Sequence, residues 1–207
     1  MHVMQNLEIL KQKKIEVRNY MDLQKFGIKL YLKTNGSFKP KDFIPVFHNW
    51  IQEKVVSEHL LIDVADYSHI KDGPGVMLIA HEGHFCLDQE EHKAGIMYMR
   101  RSHFRGNFTE RFINVFSIVI QAAKRLTDNN INKKIDFSRD LFRFISNDRR
   151  VVENTSINQS VYQDEVQKAL KDMYPNSKWE YKDISNENER MAFTVYSNTD
   201  INIFNKN

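Results

Sequence analysis

The apolar positions of the chain fall into short runs whose period changes from one stretch to the next, and the period predicts the elements. Residues 27–34 set Ile28, Leu30 and Leu32 against Lys29, Tyr31 and Lys33, the alternation of a half-buried strand. Phe43, Val46, Phe47, Trp50 and Ile51 recur at helical spacing, and Pro45 is tolerated in a first turn, so residues 41–55 read as an amphipathic helix. Residues 60–67 and 76–82 are apolar on both parities for much of their length, as strands covered on both sides are, which places them at the centre of a sheet. A further strand follows at 95–101.

Asn107-Phe108-Thr109-Glu110 has the form of a capping box, in which side chain and backbone at a helix start satisfy each other. Behind it Phe108, Phe112, Val115, Phe116, Val119, Ala122, Ala123 and Leu126 carry a helical stripe, ending in Lys124 and Arg125, the charge that suits a helix C-terminus. Residues 135–146 read as a strand, Ser160-x-x-Gln163 opens a helix that stops at Pro175, and 179–184 with 191–196 form a closing hairpin.

The order βαβββ, a long helix, then βαββ predicts an α+β fold, a mostly antiparallel sheet with helices packed on one face. Strand, helix and hairpin recur, which suggests two similar halves, 27–106 and 107–200, within one α+β domain of residues 27–200. No side-chain identity joins the halves, and one irregular domain without internal symmetry accounts for the order equally well. Residues 1–26 read as an N-terminal arm, mobile or forming a short helix, and 201–207 as a C-terminal tail.

Composition narrows the class. With 207 residues, 41% hydrophobic and 28% charged, the chain can bury a core. A mean hydropathy of −0.57 leaves no room for a membrane span. A net charge of +3, dispersed along the chain, argues against a dedicated nucleic-acid binder. The single Cys86 cannot form an internal disulfide. The apolar residues of Met1 to Leu10 are broken by Gln5, Asn6 and Glu8 and run into Lys11, Lys13 and Lys14, so no secretory signal is visible and a reducing, cytoplasmic location is expected. All 7 glycines lie at or before Gly106 and all 8 histidines at or before His103, so permissive backbone and imidazoles share the first half.

Several chemistries are excluded by missing motifs. There is no G-x-x-x-x-G-K-[ST] and no G-x-S-x-G, and the only G-x-G, Gly73-Pro74-Gly75, has Leu78 where a dinucleotide fingerprint needs its third glycine. His81-Glu82-Gly83-His84 is not a zinc-protease motif, because its histidines are three apart on a strand rather than four apart on a helix.

The densest polar cluster is Asp63, Asp66, His69 and Asp72, followed by His81, Glu82, His84 and Cys86. Glu82, His84 and Cys86 share a parity, so on an unbroken strand their tips could converge on a divalent metal; the alternative is the polar edge of a strand end. Asp63 and His81 could form an oriented base if the hairpin register puts the pair on one face, and a slip of one residue separates them; Asp66 and His69 are further catalytic candidates of the cluster. Gly73 and Gly75 expose backbone N–H groups that could cradle a small anion, or form only a turn. Arg100, Arg101 and Arg105 interleave with Tyr98, His103 and Phe104 near a helix N-terminus, a setting for phosphate or carboxylate or simply a solvated basic face. His59 has no partner visible in sequence, and Met77, Met97 and Met99 read as core filler.

Two functional classes follow. The first is a binding or assembly protein, self-associating or contacting a ligand through the His/Asp/Gly-rich loops of the first half. The second is a metal-assisted hydrolase or acid/base enzyme built on the Asp63–His84 cluster. Either way a ligand is expected to touch the stretch from Asp63 to Arg105 first.

Overall fold

A computed structural model of the chain describes residues 23–33, 38–90, 93–128, 135–199 and 202–204. Most of the arm expected at 1–26 lies outside these residues, and Leu23 is already fully buried.

Among the described residues eight strands form one antiparallel sheet: β1 (Phe26–Tyr31), β2 (Leu61–Tyr67), β3 (Gly75–Ala80), β4 (Gly83–Asp88), β5 (Gly95–Arg100), β6 (Leu141–Ser146), β7 (Trp179–Lys182) and β8 (Ala192–Ser197). Their spatial order is β2-β3-β4-β5-β1-β6-β8-β7. The helices are α1 (Ile44–Glu53), entered through a 3-10 turn at Pro40–Phe43, α2 (Phe108–Asp128) and α3 (Ser156–Met173). The α+β class is as expected, with one strand more than the sequence suggests. The run at 76–82 does not continue; it turns at His81 and Glu82 and comes back as β4.

Each half leaves an inner strand, crosses through a helix to an outer edge and returns strand by strand. The first half does so as β1, α1, β2, β3, β4, β5 and the second as β6, α3, β7, β8. They meet where β1 and β6 pair, with Ile28 opposite Phe144.

Alternation then decides what each face carries. On one face Phe26, Ile28, Leu30, Leu78, Phe85, Tyr98, Phe144 and Phe193 join Phe47 and Trp50 of α1, Phe112 and Phe116 of α2 and Tyr162 of α3 in a single core. Aromatic rings interlock across it: Phe116 meets Phe142 edge-on at 4.9 Å, and Trp50 meets Phe85 edge-on at 6.1 Å. The capping box forms as expected, Asn107 N–H donating to Glu110 Oε2 (2.8 Å) and Glu110 N–H to Asn107 Oδ1 (2.9 Å). α3 opens four residues earlier than Ser160, at Ser156, because Thr155 accepts a hydrogen bond from Asn158 N–H and supplies the cap. The strand expected over 135–146 pairs regularly only from Leu141; Phe137 makes an isolated bridge to Leu32. Within the expected tail, Ile203 is buried, and its carbonyl accepts from Tyr174 Oη (2.6 Å).

The position of β2 corrects the reading of its apolar run. It is an edge strand, not a central one, and Leu60 and Ile62 are 65% and 55% exposed. Apolar residues on both parities therefore mark here a strand whose second face and outer edge stay uncovered, rather than one sandwiched in a core.

Candidate functional site

The opposite face of the sheet carries a separate small cluster of buried residues, Cys86, Met97, Met99, Ile145 and Ala192, with Met77 packed against it; all come from strands. Register builds the cluster. Met77 is opposite Cys86, Cys86 opposite Met97, and His84 opposite Met99, so one row of side chains crosses β3, β4 and β5. Gly27 on the neighbouring β1 leaves the space where the Met99 thioether lies, since a Cβ there would come within 2.8 Å of the Met99 methyl carbon.

At the end of the same row sits a buried ion pair. Lys29 of β1 and Asp88 of β4 are 2% and 1% exposed, and Lys29 Nζ donates to Asp88 Oδ1. The strands that hold them are not neighbours, so Lys29 reaches over β5. Gly95, opposite Asp88, makes the crossing possible: a Cβ on it would meet the Lys29 side chain at 3.1 Å. Burial raises the Asp88 carboxyl above its ordinary range, against the pull of Lys29. Its Oδ1 also accepts from Glu90 N–H (3.0 Å), whereas its buried Oδ2 has no partner.

Met77, Cys86, Asp88, Met97 and Met99 line a concavity of about 290 Å³, together with Asp72, Gly73, Pro74, His84, Glu90, Asn147 and Arg190. Its lining combines the thioethers of Met77, Met97 and Met99 and the Cys86 thiol with the buried Asp88 carboxylate, the carboxylates of Asp72 and Glu90, and the Arg190 guanidinium. Arg101 donates to His84 Nε2 (2.9 Å), and burial followed by Arg101 keeps this imidazole below its ordinary value. Burial likewise pushes the Cys86 thiol far up, so it is a protonated thiol at neutral pH.

The expected site residues distribute as follows. Gly73, His84 and Cys86 come together in this concavity. Glu82 does not: β4 begins only at Gly83, and the Glu82 carboxylate turns away to accept from Leu60 N–H (2.9 Å). The metal trio therefore does not assemble, and among the described residues no group of three His, Cys, Asp or Glu side chains is placed to hold a metal ion. The open hairpin parity resolves with Asp63 opposite Ile79, a bulge between Leu61 and Asp63, and His81 exposed in the β3–β4 turn; no hydrogen bond or ion pair joins Asp63 to His81. Asp66 falls on the opposite face from Asp63, opposite Val76, and serves the turn. It accepts from Ser68 Oγ (2.5 Å) and Ser68 N–H (2.9 Å) and pairs with Lys41 (3.2 Å), and the Ser68 hydrogen bonds hold its carboxyl down to about 2. His69 is exposed in the same turn.

Gly75 is required by the backbone itself, with φ +64° and the Leu87 carbonyl where a Cβ would lie. The arginines diverge and build no common anion cradle. Arg100 is buried against the Phe104 ring at 5.0 Å, Arg101 lies on the other face at His84, and Arg105 is exposed.

Sequence reasoning missed Lys29 and Asp88. Lys29 resembles any polar residue of an alternating strand, and Asp88, which closes the apolar run Phe85-Cys86-Leu87, offers only its place as a faint signal. His59, read as isolated, is bonded through Nε2 to Tyr98 Oη at 2.5 Å, a partner 39 residues away that no local pattern reveals.

Compared with known protein families and with curated proteins, the chain matches none. No described helix is long and apolar enough to cross a membrane.

One pH dependence follows from the two shielded imidazoles. His59 and His84 are both held below the ordinary value of 6.5, chiefly by burial. The unfolded chain takes up protons at these positions before the folded chain does, so their contribution is intact above pH 6.5 and is lost as pH falls toward the folded values. The expected result is a melting temperature that drops on acidification below pH 6.5, with a shallower drop in His59→Gln and His84→Gln variants. Identical slopes in all three proteins would contradict it.

Proposed function

We propose that the chain is a small-molecule binding protein whose ligand occupies the concavity between the Asp72-Gly73-Pro74 turn and the Met77-Cys86-Met97 row. One observation carries the reading: Asp88, 1% exposed, presents a buried Oδ2 without a partner on the wall of that concavity. Buried acceptors in folded proteins are nearly always satisfied, and an orphan in a concave, mostly apolar site marks where a ligand's donor belongs. Asp72 and Glu90 add negative charge, and the thioethers offer a soft apolar lining, so the favoured ligand is a primary amine or guanidine with a compact apolar body.

Thermal shift and calorimetry with phenethylamine, agmatine and the uncharged control phenethyl alcohol test this. The amines are expected to raise the melting temperature, and the alcohol to leave it unchanged. Met77→Trp, which fills the mouth from a half-buried position, and the charge-free pair Lys29→Met with Asp88→Leu are both expected to abolish the response. Amine binding that survives in these variants, or an alcohol that binds as well as the amines, would refute the reading.

A second reading, assembly through β2, is supported by the exposed Leu60, just before it, and Ile62, on an edge strand of seven residues without lysine or proline whose outer side is unpaired. The partner in that reading is a second copy pairing β2 with β2. Ile62→Lys is expected to change stability by no more than about 0.5 kcal/mol while lowering the mass seen by light scattering at high concentration. A mass equal to one chain in both proteins at every concentration would end it.

A further inference from the structure

On the helical side of the sheet lies a second concavity, of about 360 Å³, between α2 and the loop that follows α1. Asn114, Ile118, Gln121 and Arg125 contribute one stripe of α2, and Trp50, Val55 and His59 face them. Two polar atoms on its walls are buried and unpartnered, His59 Nδ1 and Asn114 Oδ1.

The polarity of the first is set from behind. The Tyr98 phenol oxygen feels the positive charge of Arg100, and a guanidinium has no acceptor to offer its proton. Burial pushes the Tyr98 hydroxyl up to about 12, so it keeps its proton, and the remaining acceptor for that proton is His59 Nε2, 2.5 Å away. A neutral imidazole that accepts at Nε2 carries its hydrogen at Nδ1. Gly83 is part of the arrangement, because a Cβ there would lie 2.6 Å from the Tyr98 hydroxyl oxygen. The concavity therefore presents one unpartnered N–H donor, from His59, and one unpartnered carbonyl acceptor, from Asn114, among the apolar Trp50, Val55, Val56 and Ile118 and the polar Ser57, Ser117 and Gln121. Its charged rim residues, Glu58 and Arg125, oppose each other in sign.

We propose that this cleft is a binding site for an uncharged carboxamide or lactam, whose carbonyl accepts from His59 Nδ1–H and whose N–H donates to Asn114 Oδ1. Tyr98 and Arg100 are positioning residues that hold the imidazole in the donating tautomer. The chemistry is shared by aromatic amides and by lactam nucleobases, and the probes separate the two sources.

Titrations of benzamide, uracil and benzoate, followed by calorimetry and by ¹⁵N-resolved NMR of the folded chain, test the proposal. Benzamide or uracil is expected to bind and to shift the His59 and Asn114 signals, and whichever binds more tightly names the source. Benzoate, the charged isostere that offers no N–H, is expected to bind at least about ten-fold more weakly than benzamide, the effect of one lost hydrogen bond. Asn114→Leu is expected to weaken amide binding by a similar factor. Tyr98→Phe is expected to move the His59 nitrogen shifts toward the other tautomer and to weaken binding. Met77→Trp, on the opposite face, is expected to leave benzamide and uracil binding at this cleft unchanged. The proposal fails if neither amide binds at millimolar concentration, if benzoate equals benzamide, or if Asn114→Leu binds as the natural chain does.

Discussion

Replacing Lys29 by methionine is expected to lower the stability of the fold by about 3–5 kcal/mol, because it leaves the Asp88 carboxylate buried without a counter-charge. The pH profile distinguishes this cause from simple loss of packing. The Asp88 carboxyl is already raised by burial, and removing Lys29 removes the interaction that opposes the rise. A carboxyl whose folded pKa lies above its unfolded value takes up a proton on folding, so stability falls as pH rises through that range. The deficit of Lys29→Met should thus be full at neutral pH and shrink on acidification, where the carboxyl is neutral in both proteins. Lys29→Met combined with Asp88→Leu should recover most of the loss, since apolar replacement of a buried pair is often neutral or stabilising. Urea denaturation at several pH values measures all three; a deficit that is constant with pH, or a double variant no better than the single, would contradict this account.

The second large effect is expected at Gly75. Its φ of +64° excludes an ordinary side chain on conformational grounds, and the Leu87 carbonyl excludes one on spatial grounds. A strained backbone costs about 1–3 kcal/mol and an overpacked contact about 1–3 kcal/mol, so Gly75→Ala should lose at least about 2 kcal/mol. Because Gly75 joins the Gly73-Pro74 turn to β3, the loss should be local as well as global. Amide exchange in residues 67–76 should accelerate more than in α2 or β6, and uniform acceleration would show that the strain is not held in the hairpin. Asp72, also at positive φ (55°), gives the contrast: Asp72→Gly removes a side chain from that conformation and should not destabilise.

Legibility in the sequence followed the range of the interactions involved. Period-two and helical patterns located α1, α2, β1, β5 and β8 within a few residues, because each reports one face of one element. The Asn107–Glu110 cap was legible for the same reason, both partners lying within one turn. The sharp return at His81 and Glu82 was not, because apolar residues on either side of a two-residue turn continue the same run. Site residues divide along the same line. Gly73, His84 and Cys86 lie within one hairpin and its neighbour, and all three line the same concavity. Lys29 and Asp88 are 59 residues apart and meet only over a glycine on a third strand. The expected Asp63, Asp66, His69 and His81 group failed on parity: residues close in sequence on a strand and its turn were sent to different faces or into solvent.

The place of β1 has a consequence for the order in which the protein can be made. β1 is the first strand of the described chain, yet its two neighbours are β5 and β6, and neither exists until residues 95–100 and then 141–146 have left the ribosome. Phe26, Ile28 and Leu30 must therefore wait, unpaired and greasy, through the synthesis of every other strand of the first half. The chain can assemble its outer meander early, but the seam joining its halves closes only from the middle and late. This timetable makes the opening strand, rather than any surface of the finished molecule, the segment most in need of shelter while the protein is being born.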